Sequence, residues 1–133
     1  MTRTGFIYTA LAAVPLTLGP ALAQDVGKEE YVQACASCHG DSGLGDGPLA
    51  ELINVPMPDL TGLAAANDGA FPMLEVIQII DGRTGVRGHG EPMPIWGDRF
   101  KAKAAPEAGD YGAELVVRGR VLALAQYLQS IQK

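Results

Sequence analysis

Cys35-Ala36-Ser37-Cys38-His39 is the densest run of reactive side chains in the sequence, and its cysteines are the only two in the chain. Two thiols three residues apart fall on one helical turn. Each can add to a vinyl group of a haem, and the histidine that follows reaches the iron from beneath. Such attachment holds one haem c permanently, through Cys35 and Cys38. Three other uses of these residues compete. A redox C-x-x-C pair expects a βαβ setting, and the sequence reads without one. A zinc site takes about four ligands, and only His89 is left to complete the set. A plain disulfide has no need of the histidine.

An iron held by His39 needs a ligand on its other face, and that ligand decides between electron transfer and ligand chemistry. The candidates are Met57, Met73, Met93 and His89. Met73 falls on the apolar face of an expected helix, where it reads as core packing. Met57, between Pro56 and Pro58 and 18 residues past His39, reaches back only by a tight return. Met93 lies 54 residues past His39, inside Pro92-Met93-Pro94-Ile95-Trp96-Gly97. Prolines on both sides fix the neighbouring backbone angles and bias Met93 towards extended structure, so a stiff loop presents its sulfur. Met93 is therefore the favoured ligand. His89, between Gly88 and Gly90, is its rival because imidazole binds iron strongly.

The elements that must position these groups read as helices joined by loops, in keeping with 17 Gly and 9 Pro. Gly27 to His39 is a short helix with Lys28, Glu29 and Glu30 in its first turn, ended by Gly40. Gly40 to Pro58 is mostly loop, with one helical turn over Pro48 to Leu52. Leu60 to Ala66 is a short helix capped by Asp59 or Thr61. From Pro72, Met73, Val76 or Ile77, and Ile80 recur at helical spacing until Asp81-Gly82; a strand over Val76 to Ile80 would find no partner. Gly82 to Gly97 is loop. Asp110 to Lys133 is the clearest helix, with Val117, Val121, Leu124, Leu128 and Ile131 stepping by four, three, four and three.

Residues 1–23 open with Met1 and Arg3, continue through an apolar stretch of 13 residues from Phe6 to Leu18 with Pro15 inside it, and finish in Ala21-Leu22-Ala23. This is the pattern of a secretory signal, shorter than the ~20 apolar residues a spanning helix needs. Cleavage after Ala23 would leave a single domain, 24–133, in the periplasm, with no membrane insertion; an uncleaved anchor is the competing reading. Ten Lys and Arg against 15 Asp and Glu give the chain a charge of −5, and loss of Arg3 makes it −6. So acidic a chain is no general binder of nucleic acid or anionic membrane.

Over nearly the whole mature chain, the sequence resembles a class I c-type cytochrome. Gly27, Tyr31 and Cys35 stand where that family places a glycine, an aromatic and the first haem cysteine, and Leu124 and Tyr127 look like its paired residues on the last helix. The resemblance implies an all-α class I fold, short helices and long loops around one haem, with the terminal helices crossing closely. Gly43-x-Gly45-Asp46-Gly47-Pro48, Pro58-Asp59-Leu60-Thr61 and Met93-Pro94-x-Trp96-Gly97 are similar to the bacterial single-haem branch, which also supplies haem domains of respiratory complexes. By that similarity Pro48 lies against the His39 side, a backbone carbonyl there takes the imidazole Nδ1 proton, and Trp96 shields the haem or donates to a propionate. The Gly-rich run alone reads as a flexible turn.

Arg83, Arg87, Arg99, Lys101 and Lys103 against Glu91 and Asp98 give residues 83–103 a local charge of +3, while the rest of the mature chain carries −9. A basic rim on an acidic body would steer transient docking to redox partner proteins, an electron donor and an acceptor. The plainer accounts are a solvated face, or arginines on haem propionates. The expected activity is one-electron Fe(II)/Fe(III) cycling in an electron-transfer protein rather than an enzyme. A fixed haem subunit of a periplasmic dehydrogenase or respiratory complex is the first alternative. A haem enzyme or gas-binding sensor with a displaceable ligand is the second.

Overall fold

The computed structural model describes the backbone of residues 19–85 and 93–133, and side chains from residue 25 onward within those spans. The expected leader falls almost wholly outside the described residues, as do His89, Arg87 and Glu91. Among the described residues there are four α-helices: α1 Gly19–Ala34, α2 Ala36–His39, α3 Met73–Asp81 and α4 Trp96–Ser130. Single 3-10 turns lie at Ala50–Leu52, Leu60–Gly62 and Ala65–Asn67. The architecture is all-α, with no strand among the described residues, which resolves the ambiguity over Val76 to Ile80 in favour of helix.

Three elements differ from the sequence reading. The helix expected to open at Gly27 is already running at Gly19, so Lys28, Glu29 and Glu30 lie within it rather than in its first turn. It also breaks at Cys35, whose amide donates to the Tyr31 carbonyl at 2.8 Å before α2 begins. The expected Leu60 to Ala66 helix is a pair of 3-10 turns; its cap is Asp59, which accepts from the Thr61 amide at 2.8 Å and from its hydroxyl at 2.5 Å. Those bonds hold the Asp59 carboxyl below its usual range. The last helix starts fourteen residues earlier than expected, at Trp96, and has two arms separated by Gly109 (φ 65°, ψ 174°).

The core forms where α1 and α3 both pack on α4. On the second arm of α4, Val117, Val121, Leu124 and Leu128 are buried as the apolar stripe requires, with Ile131 partly so. Gly27 is where α1 crosses this arm: a methyl group there would run into the Ala123 carbonyl oxygen and lie 2.8 Å from Tyr127 Cβ. That closeness brings the rings of Tyr31 and Tyr127 to 5.1 Å, tilted by 47°. Tyr31 is wholly buried and donates its hydroxyl proton to the Gly40 carbonyl at 2.6 Å, which ties the end of α2 to the crossing. Burial, foremost, pushes the Tyr31 phenol well above its ordinary pKa. None of the described helices is long and apolar enough to cross a membrane.

Candidate functional site

α2 is a single turn, so most of its carbonyls have no partner within the helix. The Gly-rich run supplies one. Leu49, Gly47 and Gly45 donate their backbone N–H groups to the carbonyls of Ser37, Cys38 and His39 at 2.8, 3.2 and 2.8 Å. The run that read as a flexible turn is thus a strap, fastened to the residues that carry the two thiols and the imidazole. His39 is buried, at 6% exposure, and Cys35 and Cys38 are unbridged and partly exposed. Burial, with smaller effects from Cys38 and Glu30, pushes the Cys35 thiol up to about 12. A thiol raised in this way is a poor partner for disulfide exchange, which needs the thiolate.

Two cavities open beside His39 on this turn. The larger, about 430 Å³, is lined by Cys35, Cys38 and His39, by Leu49, Ile53 and Met57, and by Met93, Trp96 and Arg99. The smaller, about 250 Å³, lies among Leu60, Val76, Ile80 and Leu128, so that α3 forms a wall of it. His39 and Met93 line both. Trp96 packs on Phe100 with centroids 5.5 Å apart, and the Arg99 guanidinium lies 5.3 Å from the Trp96 ring.

Five of the six sequence-derived site residues, Cys35, Cys38, His39, Met93 and Trp96, thus meet at one crevice. Pro48 does not line it: it is exposed, in a shallow surface depression with Val32 and Asp46, while its neighbour Leu49 faces the crevice. Of the other methionines, Met73 packs against the core and Met57 lines only the larger cavity. Leu49 and Ile53 were not singled out from sequence, since an apolar residue in a loop carries no spacing signal; Arg99, read there as one of the basic cluster, borders the crevice. Arg83, read as part of a basic rim, is taken up by carboxylates. It reaches Asp81 at 2.7 Å and Glu114 at 2.7 Å, and its hydrogen bonds hold both carboxyls below their usual range.

The donor set fits a covalently held haem. Two thiols and an imidazole on adjacent turns open onto one apolar crevice, and a thioether shares with the imidazole both cavities that compose it. Comparison with known proteins agrees. A family model described as Cytochrome c matches residues 24–108, from α1 through the attachment motif and Met93 into the first arm of α4. No curated protein and no solved structure matches the chain significantly. The match covers well over half of the sequence, and with it come haem c and haem-based electron transfer as the family's working chemistry. The chain belongs to the cytochrome c family.

Proposed function

We propose that the protein is a one-electron carrier whose single haem c is attached through Cys35 and Cys38 and held between His39 and Met93. The observation that carries this reading is that His39 and Met93 line both cavities of the crevice. When bound, the haem supplies the Fe(II)/Fe(III) couple, and a Met/His pair raises its reduction potential. The chain's own part is positional. The strap from Gly45 to Leu49 fixes the backbone that bears His39, and Pro94 stiffens the segment that bears Met93. Leu60, Val76, Ile80 and Leu128 contribute to the apolar lining of the smaller cavity, and an apolar lining disfavours the extra ferric charge. Such a carrier acts in the periplasm after loss of residues 1–23, and meets its electron donor and acceptor through a small interface, below about 1,200 Å².

The test is the visible spectrum of haem-loaded protein, oxidised, reduced, and reduced under carbon monoxide. A weak sulfur-to-iron band at the red end of the oxidised spectrum, lost in Met93→Ala, with no response to carbon monoxide, is the expected result. Absence of that band in the wild type, or a prompt carbon monoxide shift, overturns Met93 ligation and favours a displaceable-ligand haem. One observation favours a second reading, the fixed haem subunit: Tyr111, Leu115 and Leu122, exposed at 80%, 54% and 43%, recur at helical spacing along one face of α4. A stable larger assembly on size exclusion of the native preparation would support that reading over the free carrier.

A further inference from the structure

Arg83 is the second residue after α3, and every nitrogen of its guanidinium is engaged. Nε and Nη2 donate to the two carboxylate oxygens of Asp81, both at 2.7 Å. Nη1 and Nη2 donate to those of Glu114, at 2.7 and 3.1 Å. One planar fork thus joins the last residue of α3 to the second arm of α4, at Glu114, 31 residues beyond Arg83 itself. Only a guanidinium has the donors to grip two carboxylates in this way; an ammonium is a point charge. The group is three-quarters shielded from solvent, with side-chain exposures of 23% for Arg83, 17% for Asp81 and 30% for Glu114. Arg118 Nε lies 3.4 Å from Glu114 on the outer side.

The pair does more than join two helices, because the start of α4 is pressed onto it. A methyl group at Gly97 would lie 2.5 Å from Arg83 Nε and 2.6 Å from Asp81 Oδ1. Just before Gly97, one at Gly82 would lie 3.3 Å from Ile95 Cα. The backbone leaving the Met93 segment is therefore seated against the ion pair at one residue and against the end of α3 at another. Met93 is four residues before Gly97 and two before Ile95, with Pro94 limiting the freedom between.

Resting on the reading of Met93 as the ligand, we infer that Arg83 is a positioning residue that keeps the Met93 sulfur at the crevice. It acts through Asp81, Glu114 and the close seat of Gly97, without touching the haem site. Without the fork the segment has a larger open population, and an added ligand competes for the vacated position in proportion to that population.

The experiment uses the full haem-loaded chain as wild type, Arg83→Ala, Arg83→Lys and Glu114→Gln. It reads the sulfur-to-iron band against temperature beside the helical circular dichroism, and the affinity for added imidazole. Arg83→Ala is expected to lose the band well below the temperature at which helix is lost, and to bind imidazole roughly tenfold more tightly, the effect of losing one charge-assisted hydrogen bond. Arg83→Lys should fall between. Glu114→Gln keeps the Asp81 half of the fork, folds as the milder change, and should shift both readouts in the same direction by less. Wild-type imidazole affinity in Arg83→Ala and Glu114→Gln, with the band lost only as helix is lost, would leave Arg83 a merely structural residue and overturn the inference. A wild type without the band, or Met93→Ala with it, overturns Met93 ligation itself, an outcome distinct from a wild type whose band is present and indifferent to Arg83.

Discussion

Gly27→Ala sets two known effects against each other, and the structure says which wins. In a helix interior, alanine is better than glycine by about 1 kcal/mol. Against this, the added methyl meets the carbonyl oxygen of Ala123, a backbone atom that cannot rotate away, and lies 2.8 Å from Tyr127 Cβ. Ordinary contact begins at 3.4 Å, so relief at Tyr127 alone requires α1 to retreat by 0.6 Å, the difference between the two. A gap of about that size forfeits a quarter to a half of the attraction between facing atoms. The faces concerned include Tyr31 and Leu124, both wholly buried. Overpacking of this kind costs about 3 kcal/mol, which after the helix gain leaves a net loss of about 2 kcal/mol. For a domain near 100 residues that is a fall in Tm of about 10 °C. The assay is denaturant and thermal unfolding of the haem-loaded protein, followed by circular dichroism. Gly119→Ala is the control, since Gly119 lies in α4 with nothing within 4 Å of an added methyl, and it should be stabilised by up to about 1 kcal/mol. If Gly27→Ala is as stable as the wild type, or moves in the same direction as Gly119→Ala, the close crossing of α1 and α4 is refuted.

Two further substitutions probe the same framework. Tyr31→Phe removes the donor to the buried Gly40 carbonyl and should cost about 1–2 kcal/mol at neutral pH by denaturant unfolding. Because the folded-state pKa of Tyr31 is raised, its contribution is complete below the unfolded value of about 10 and is lost as pH rises from there towards the folded value. The wild type should therefore lose stability above pH ~10 more steeply than Tyr31→Phe, and parallel curves would contradict the buried phenol. Gly109→Ala places a side chain at φ 65°, ψ 174°, a region essentially reserved for glycine, with nothing nearby to clash. Backbone strain alone should cost about 1–3 kcal/mol, and straightening of α4 should draw the single tryptophan, Trp96, from the crevice and relieve quenching of its fluorescence by the haem. Unchanged stability and emission would mean that the break at Gly109 is not needed.

What was legible in the sequence had a local cause. The second arm of α4 announces itself because its buried residues repeat at helical spacing, and α3 because Val76 and Ile80, four apart, face one wall. The attachment motif is legible because its chemistry dictates its spacing. The first arm of α4 has no such stripe: of Trp96 to Ala108, only Gly97 and Phe100 are buried. That arm is held from a distance, by Arg120, whose guanidinium lies 3.8 Å from the Phe100 ring centroid and pairs with Glu30 of α1 at 2.6 Å. Arg83 was hidden for the same reason. Counting charge along residues 83–103 leaves it a surplus cation, yet both of its carboxylates, Asp81 and Glu114, lie outside that window.

These long-range ties suggest how the fold divides its work. Tyr31, Val117, Val121, Leu124 and Leu128 make a platform of two crossed helices, with bulk burial as its source of stability. The two groups assigned to the iron are not set by that platform alone. The backbone from Ser37 to His39 is fixed by three amides of the strap after the motif, one to each carbonyl, and Met93 by the contacts of Arg83, Asp81 and Gly97 at the other end of the crevice. Both anchors are directional and hydrogen-bonded, whereas apolar burial is not directional. A carrier that keeps the same two ligands in both oxidation states needs their distance held more closely than apolar contact holds it. Core substitutions such as Gly27→Ala should therefore lower Tm while leaving the sulfur-to-iron band intact until helix is lost, and Arg83 substitutions should do the reverse.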